Sequence, residues 1–322
     1  MRGGGVWGRA WAELRGSRAG GVLAARGHGP GAEGGQRPGT PSREALVDVL
    51  RAAVLDRIGP LVTLNKPAGL PVTGKPEEPS LLSVLPELSR TLGLGGLELQ
   101  VVRAAERETS GLVLLSSCPQ TTSRLQKFFA DSRRAQRPTA TYWAVTDGVP
   151  ASAEGRVQVA LKLEHVDGLK VAVPVKAASR RAIQEGARRT LSHFRVLDTG
   201  SGCALVQLRP LTAFPGQLQV HMLLQLCPVL GDHTYCARVG SVLGQRFLLS
   251  AESTKPRPQV LDAALLSRLH LSPAQAAQLP LHLHLRCLHL PGARPRDAPL
   301  ELQAPLPPHF SRTLQDLGLR QQ

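Results

Sequence analysis

Aromatic residues are scarce in this chain: three Trp, two Tyr and six Phe make up 3% of 322 residues, so each tyrosine is worth separate attention. Cysteine is scarce as well. The five present (Cys118, Cys203, Cys227, Cys236, Cys287) lie far apart with no Cys-x-x-Cys pair, which excludes a zinc ribbon or a disulfide framework and fits a reducing compartment. No apolar run is long enough to cross a bilayer, and the early apolar residues are interrupted by Arg and Gly. Neither a membrane span nor a secretory signal is expected. Acidic residues are outnumbered, with 24 Asp and Glu against 39 Lys and Arg, for a formal net charge of +15. That imbalance favours a polyanionic partner, because Lys and Arg clusters gain affinity by releasing counterions from nucleic acid, although composition does not separate RNA from DNA. The pairs Arg133-Arg134, Arg180-Arg181 and Arg188-Arg189 suit bidentate phosphate contacts. Internal repeats are absent too. Gly200-Ser201-Gly202 and Gly93-Leu94-Gly95-Gly96 lack the context of a phosphate-cradling loop, so no nucleotide cofactor is expected.

A hydrophobic content of 42% allows one substantial core or two modest ones. Residues 1–41 stand apart. They carry Arg2, Arg9, Arg15, Arg18, Arg26 and Arg37 against Glu13 and Glu33, with no lysine, and place Val6, Trp7, Trp11 and Leu14 on roughly one helical face. That pattern predicts a mitochondrial transit peptide followed by a Gly/Pro-rich linker, and hence a matrix location. Residues 42–59 form a short helical lead-in with Ser42 as N-cap. The main domain is expected at 60–292, with a possible insertion at 240–279, and 293–322 as a terminal segment packing on it.

Within that domain, strands are predicted at Leu61–Leu64, Leu112–Leu115, Thr139–Val145, Val157–Lys162, Lys170–Val175, His193–Leu197, Cys203–Arg209 and Phe247–Ser250, and helices at Pro119–Asp131 and Gln217–Leu226. Val260–Leu269 and Pro273–Leu279 read as helical between prolines. Leu281–Leu290 alternates Leu with His and Arg and slips phase at Cys287-Leu288, predicting a bulged strand with one wet face. Pro308–Leu319 forms a helix with Phe310, Leu314 and Leu317 on one side. Strands and helices mix without regular alternation, so the fold class is α+β with a mixed, largely antiparallel sheet flanked by helices, and not a doubly wound fold.

Four segments carry chemistry, and their order matters more than any one of them. Leu64-Asn65-Lys66-Pro67-Ala68-Gly69-Leu70 is a strand running into a tight turn. Arg103-Ala104-Ala105-Glu106-Arg107-Glu108-Thr109-Ser110-Gly111 leads into an apolar strand. Thr141-Tyr142-Trp143 places a tyrosine on a strand, and Leu208-Arg209-Pro210-Leu211-Thr212-Ala213-Phe214-Pro215-Gly216-Gln217-Leu218-Gln219-Val220-His221 follows. Gly231-Asp232-His233-Thr234-Tyr235 and Leu283-His284 complete the series. Together they resemble the RluA-type pseudouridine synthases, cofactor-free isomerases of uridine in RNA, over about Leu61 to Leu290.

The resemblance implies the pseudouridine synthase catalytic fold and a role for each segment. Glu106 takes the place of the family's nucleophilic aspartate, and a carboxylate there can attack or stabilise the sugar centre while the bond to N1 breaks. Tyr142 takes the place of the ring that stacks on the flipped uracil and assists proton transfer. Lys66, Arg107, Thr109, Ser110, Gln217 and His221 are the implied substrate-binding residues. Gln219 stands where the family has an arginine paired with its carboxylate; its loss raises the expected pKa of Glu106 unless Arg103 or Arg107 supplies the charge. Two readings follow. One is a synthase acting on mitochondrial mRNA or rRNA. The other is a catalytically degenerate RNA-binding protein of the same fold that supports mitochondrial RNA stability or ribosome assembly, with RNA-processing or ribosome-assembly proteins as possible partners. His282, His284, Cys287 and His289 cluster in sequence, but their spacing fits no common tetrahedral signature, so no metal is expected.

Overall fold

The computed structural model describes residues 42–74, 78–175, 183–251, 254–292 and 297–321; the expected transit peptide and linker (1–41) and the Arg180-Arg181 pair lie outside them. Thirteen strands and seven α-helices are found among the described residues. The first half comprises α1 (Arg43–Ala52), β1 (Val54–Ile58), β2 (Leu61–Lys66), α2 (Leu81–Thr91), β3 (Gln100–Arg103), β4 (Ser110–Ser116), α3 (Pro119–Arg134), β5 (Ala140–Asp147), β6 (Glu154–Val166) and β7 (Leu169–Val175). The second comprises β8 (Arg188–Gly200), β9 (Cys203–Pro210), α4 (Gln217–Leu224), β10 (Val239–Val242), β11 (Gln245–Leu248), α5 (Ala263–Arg268), α6 (Pro273–Ala276), β12 (Leu283–Leu290), β13 (Leu300–Gln303) and α7 (Pro308–Leu317). No helix among the described residues is long and apolar enough to cross a membrane.

Eleven strands form one sheet in the order β1-β2-β4-β12-β5-β9-β8-β6-β7, with β3 added on β4 and β13 on β12. Only the β4–β12 pair is parallel among these. The sheet is therefore mixed and largely antiparallel, as the element pattern predicts. β4 is buried along its whole length, which is why it reads as a continuous apolar run and not as an alternation. Gly111 lets it meet β12: its φ is +113°, and a Cβ there would strike the Leu285 backbone, so no other residue fits this contact.

The helices sit where their apolar faces can be covered. The Ser42 side chain caps α1 by accepting from the Ala45 amide, and Leu46 and Leu50 then pack with Leu81, Leu88, Leu64 and Val113. The lead-in thus shares one core with the main domain. Residues 240–279 supply the separate β10–β11 hairpin and α5 and α6. Leu261, Leu265 and Leu269 from this stretch are buried with Trp143 and with Phe310, Leu314 and Leu317 of α7.

β12 shows the predicted slip as a register shift between Leu285 and Cys287. The expected wet face is limited to the second half of β12, where Arg286 and His289 are partly exposed. His282 and His284 are fully buried, because β12 lies between β4 and β5 and α7 covers the histidines: the His282 ring centroid is 5.5 Å from that of Phe310.

Candidate active site

A cavity of about 430 Å3 opens where three walls meet: the stretch from Arg103 to Thr109, the α3 face carrying Phe129 and Arg133, and the segment Pro210–Gln219, with Tyr142 and Leu283 at its base. Strand alternation explains the placement of Tyr142. It pairs with Leu208 and Leu285 and so shares their face, while Trp143 turns to the opposite side.

Glu106 is held from across the cavity. Its carboxylate accepts the Gly216 N–H through both oxygens, at 3.0 and 3.2 Å. Gly216 is the N-cap of α4 and has φ +65°, a left-handed conformation glycine adopts without strain. A Cβ there would strike the Tyr235 hydroxyl, so the Gly231–Tyr235 turn fits closely behind the helix start. The carboxylate therefore meets an unsatisfied helix amide and the positive end of the helix dipole.

Glu106 is exposed by surface area, yet protein crowds its carboxylate on the side facing Gly216. Desolvation is the largest influence and raises its pKa above the ordinary glutamate value; the Gly216 N–H and the charge of Lys66 pull it back. The nearby cation is Lys66, not the expected Arg103 or Arg107. Arg103 is aligned with Tyr142 instead. Burial raises the Tyr142 pKa, Arg103 opposes that shift, and the Glu106 charge adds to it. The Arg103 guanidinium lies 4.9 Å from the centroid of the Phe129 ring, and its buried Nε has no hydrogen-bond partner.

The expected substrate contacts divide sharply. Thr109 and Gln217 line the cavity, and Gln217 is fixed there by donating to the Leu191 carbonyl (3.2 Å) and Ser192 Oγ (2.8 Å) while accepting from Thr212 Oγ1 (2.9 Å). Lys66, Ser110 and His221 do not reach it, since each is completely buried. Lys66 Nζ donates to the carbonyls of Pro67 (3.1 Å), Leu70 (3.1 Å) and Arg107 (3.0 Å), and burial lowers its pKa to about 7. It clamps the Glu106 loop to the preceding turn, assisted by the Gly69 N–H, which also donates to the Arg107 carbonyl. The Arg107 side chain is exposed and pairs with Glu108 at 3.4 Å, outside the cavity lining. Ser110 Oγ is 2.9 Å from His284 Nδ1, and His221 Nε2 is 2.9 Å from Thr190 Oγ1. Lys66, Ser110 and His221 thus support the cavity from behind, sealed in protein, while Arg107 faces solvent beside it.

Sequence reasoning missed the Gly216 amide and the α3 wall. Pro215-Gly216 ahead of a helix was the available signal for the first; nothing in the pattern of α3 marked Phe129 as a cavity residue. A Cys/His/carboxylate group does come together away from the cavity: ligand atoms of Cys287, His289 and Glu301 lie within 4.8 Å of one another. The imidazole turns one nitrogen to each neighbour, at 3.6 Å to Cys287 Sγ and 3.5 Å to Glu301 Oε2, an arrangement that uses both nitrogens on protein.

The profile of the RNA pseudouridylate synthases matches residues 60–224, the stretch that carries both the Glu106 loop and the Gly216 helix start. The chain belongs to that family. It is 74% identical over 286 residues to the mitochondrial mRNA pseudouridine synthase RPUSD3 of Bos taurus, covering 89% of this chain and 83% of that one. With the Homo sapiens RPUSD3 it shares 73% over 288 residues, covering 89% and 82%. The solved structure of human RNA pseudouridylate synthase domain containing 4 superposes with a TM-score of 0.68 at 29% identity, covering 87% of this chain and 98% of that one.

Proposed function

We propose that the protein is a mitochondrial matrix pseudouridine synthase that acts on messenger RNA, with Glu106 as its catalytic carboxylate and Tyr142 as the ring beneath the uracil. The observation that carries this reading is that Glu106 and Tyr142 open on one cavity, with the carboxylate fixed by the Gly216 N–H. The names of the RPUSD3 relatives favour mRNA over rRNA and the mitochondrion as location, and the Arg-rich 1–41 segment agrees with import.

The target uridine leaves its stack to enter the cavity. Glu106 attacks or stabilises C1′ as the C1′–N1 bond breaks, the uracil turns, and C5 bonds to C1′. C5 loses its proton and N1 gains one, so the product is an isomer and no co-reactant is needed. Tyr142 stacks on the ring during rotation and assists the proton transfer, and Thr109 and Gln217 form the polar wall. Glutamate reaches one methylene further than aspartate; the Gly216 amide anchors that longer stem, which supports a catalytic use of Glu106.

Gln219 favours a second reading, an RNA-binding protein without catalysis, because it lines the cavity where the family has a guanidinium. One experiment separates the two: map pseudouridine across mitochondrial RNA in cells lacking the protein, then restore wild type or Glu106→Gln. The synthase reading expects mRNA sites to return with wild type alone. Sites restored equally by Glu106→Gln would sink the role of Glu106, and no site restored by wild type would leave the non-catalytic reading.

A further inference from the structure

A second cationic surface lies on the side of the sheet that faces away from the cavity. Leu208 pairs with both Tyr142 and Phe194 and shares their face; by alternation the flanking residues Gln207 and Arg209 of β9, and His193 and Arg195 of β8, point the other way. The register then aligns them in rows across three strands. Arg156 sits opposite His193, and His193 opposite Arg209; Glu154 sits opposite Arg195, and Arg195 opposite Gln207. These rows border a shallow groove of about 500 Å3.

Arg156, His193, Arg195 and Arg209 are all exposed. None of the three arginines forms an ion pair among the described residues, and Glu154 is the single acid bordering the groove. Arg195 is diagonal to both Arg156 and Arg209 across the strands, so the three charges lie near one another with Glu154 as the one acid among them, and an anion would relieve their repulsion. An isolated surface arginine needs no explanation; three without partners, in register around one groove, call for a ligand. The outer pair stands about two strand spacings apart, roughly 10 Å, a span that suits successive phosphates better than one small anion.

The groove lies one residue from the cavity along β9: Arg209 borders the groove and the next residue, Pro210, lines the cavity, at the end of the strand. We propose that this back-face groove binds the phosphate backbone of RNA flanking the target uridine, so that a strand held in the cavity continues around the end of β9 onto Arg209, Arg156 and Arg195. The proposal rests on the RNA-modifying function above and extends it to how the chain grips the RNA on either side of the target. Arginine forks reading phosphates give grip without sequence preference.

The test uses the full chain, an RNA of about 25 nucleotides and one of about 5 that fills the cavity alone, with binding followed by fluorescence anisotropy across a salt series. Replacing Arg156, Arg195 and Arg209 together by Gln should weaken the longer RNA about tenfold and flatten the slope of log affinity against log salt by roughly 2, at about 0.7 for each phosphate no longer neutralised. The shorter RNA should lose much less. An unchanged slope for the longer RNA, or an equal loss for both, overturns the proposal. Replacement of the same three residues by Lys keeps the charge and should keep the slope; a slope lost there too would mean that phosphate charge is not what the groove reads. Polyglutamate provides the other arm. If the Gln variant loses polyglutamate and keeps the longer RNA, the occupant is an acidic protein and not RNA. Because the readout is binding and not product, an inactive Glu106 would leave this result intact, and the two claims fail separately.

Discussion

Two polar clusters lie on opposite sides of the sheet, and they are built on opposite principles. Both ring nitrogens of His282 and of His284 are answered, His282 by the Pro280 carbonyl and Thr313 Oγ1, both at 2.9 Å, and His284 by Ser110 Oγ at 2.9 Å and the Ala304 carbonyl at 3.3 Å; Nε2 of the adjoining His309 is the exception. Around Glu106 and Tyr142 the polar groups are only partly answered, and Arg103 Nε has no partner at all. A closed network rigidifies a core. An open one leaves charge directed at a space that substrate can fill, and its pKa shifts come from desolvation at the cavity and not from a finished ion pair. The most conspicuous titratable cluster in the sequence is thus the structural one.

The contrast breaks most visibly at Glu106. Glu106→Gln keeps the shape of the side chain and removes the carboxylate, and product formation on an RNA substrate is expected to fall by at least ~10⁴-fold with little change in melting temperature. Tyr142→Phe, which retains stacking and loses the hydroxyl, should cost roughly a hundredfold in turnover if the phenol moves a proton; an unchanged rate would restrict Tyr142 to stacking. Lys66→Met tests a residue that belongs to both worlds, closed in its bonding yet clamping the open loop. Loss of one charge-assisted donor to three carbonyls should cost about 2–3 kcal/mol in urea unfolding.

The same variant has a pH signature. Folded Lys66 titrates near 7 and its free value is 10.5, so the unfolded chain binds more protons in that window and the Lys66 contribution to stability rises with pH across it. Lys66→Met should lose that alkaline rise. His282→Ala is expected to cost about 1–3 kcal/mol by orphaning Thr313 and the Pro280 carbonyl, while product per folded molecule stays unchanged; a matching loss of turnover would erase the distinction between the clusters. The last expected effect is acid sensitivity. His221, His282 and His284 are held down to about 4 by burial, so stability should fall as pH drops from 6.5 toward 4, when the unfolded chain takes up protons that the folded one refuses. His309, held well below its ordinary value by burial, adds to the fall, and Asp232, raised to about 6 by burial, opposes it.

The sequence showed what is local and periodic. The Ser42 cap, the slip at Cys287 and the helix bearing Phe310, Leu314 and Leu317 all follow from spacing, and the structure has them. Glu106 and Tyr142 were legible as a pair through motif order. What could not be read is which side of a partner each motif residue faces. Lys66 looks like a cation near a cleft, and only the tertiary arrangement shows three carbonyls taking all its donors. His284 sits in an alternating Leu-His pattern that mimics a half-wet strand, since alternation records chemistry along β12 and not the helix that later covers it. The helix Leu81–Thr91, with Pro86 inside it, also escaped notice, because its Ser80 capping box is a weak signal beside a proline.

The Gly216 anchor has a consequence for how the protein comes to be active. The amide that holds Glu106 is backed by the Tyr235 ring, and the Tyr235 hydroxyl takes the Ala172 N–H of β7, 63 residues upstream. Three distant stretches of chain must therefore converge before the carboxylate is aimed. The Glu106 loop is made long before residue 235, so the carboxylate stays unaimed until the later stretches have been made and have docked.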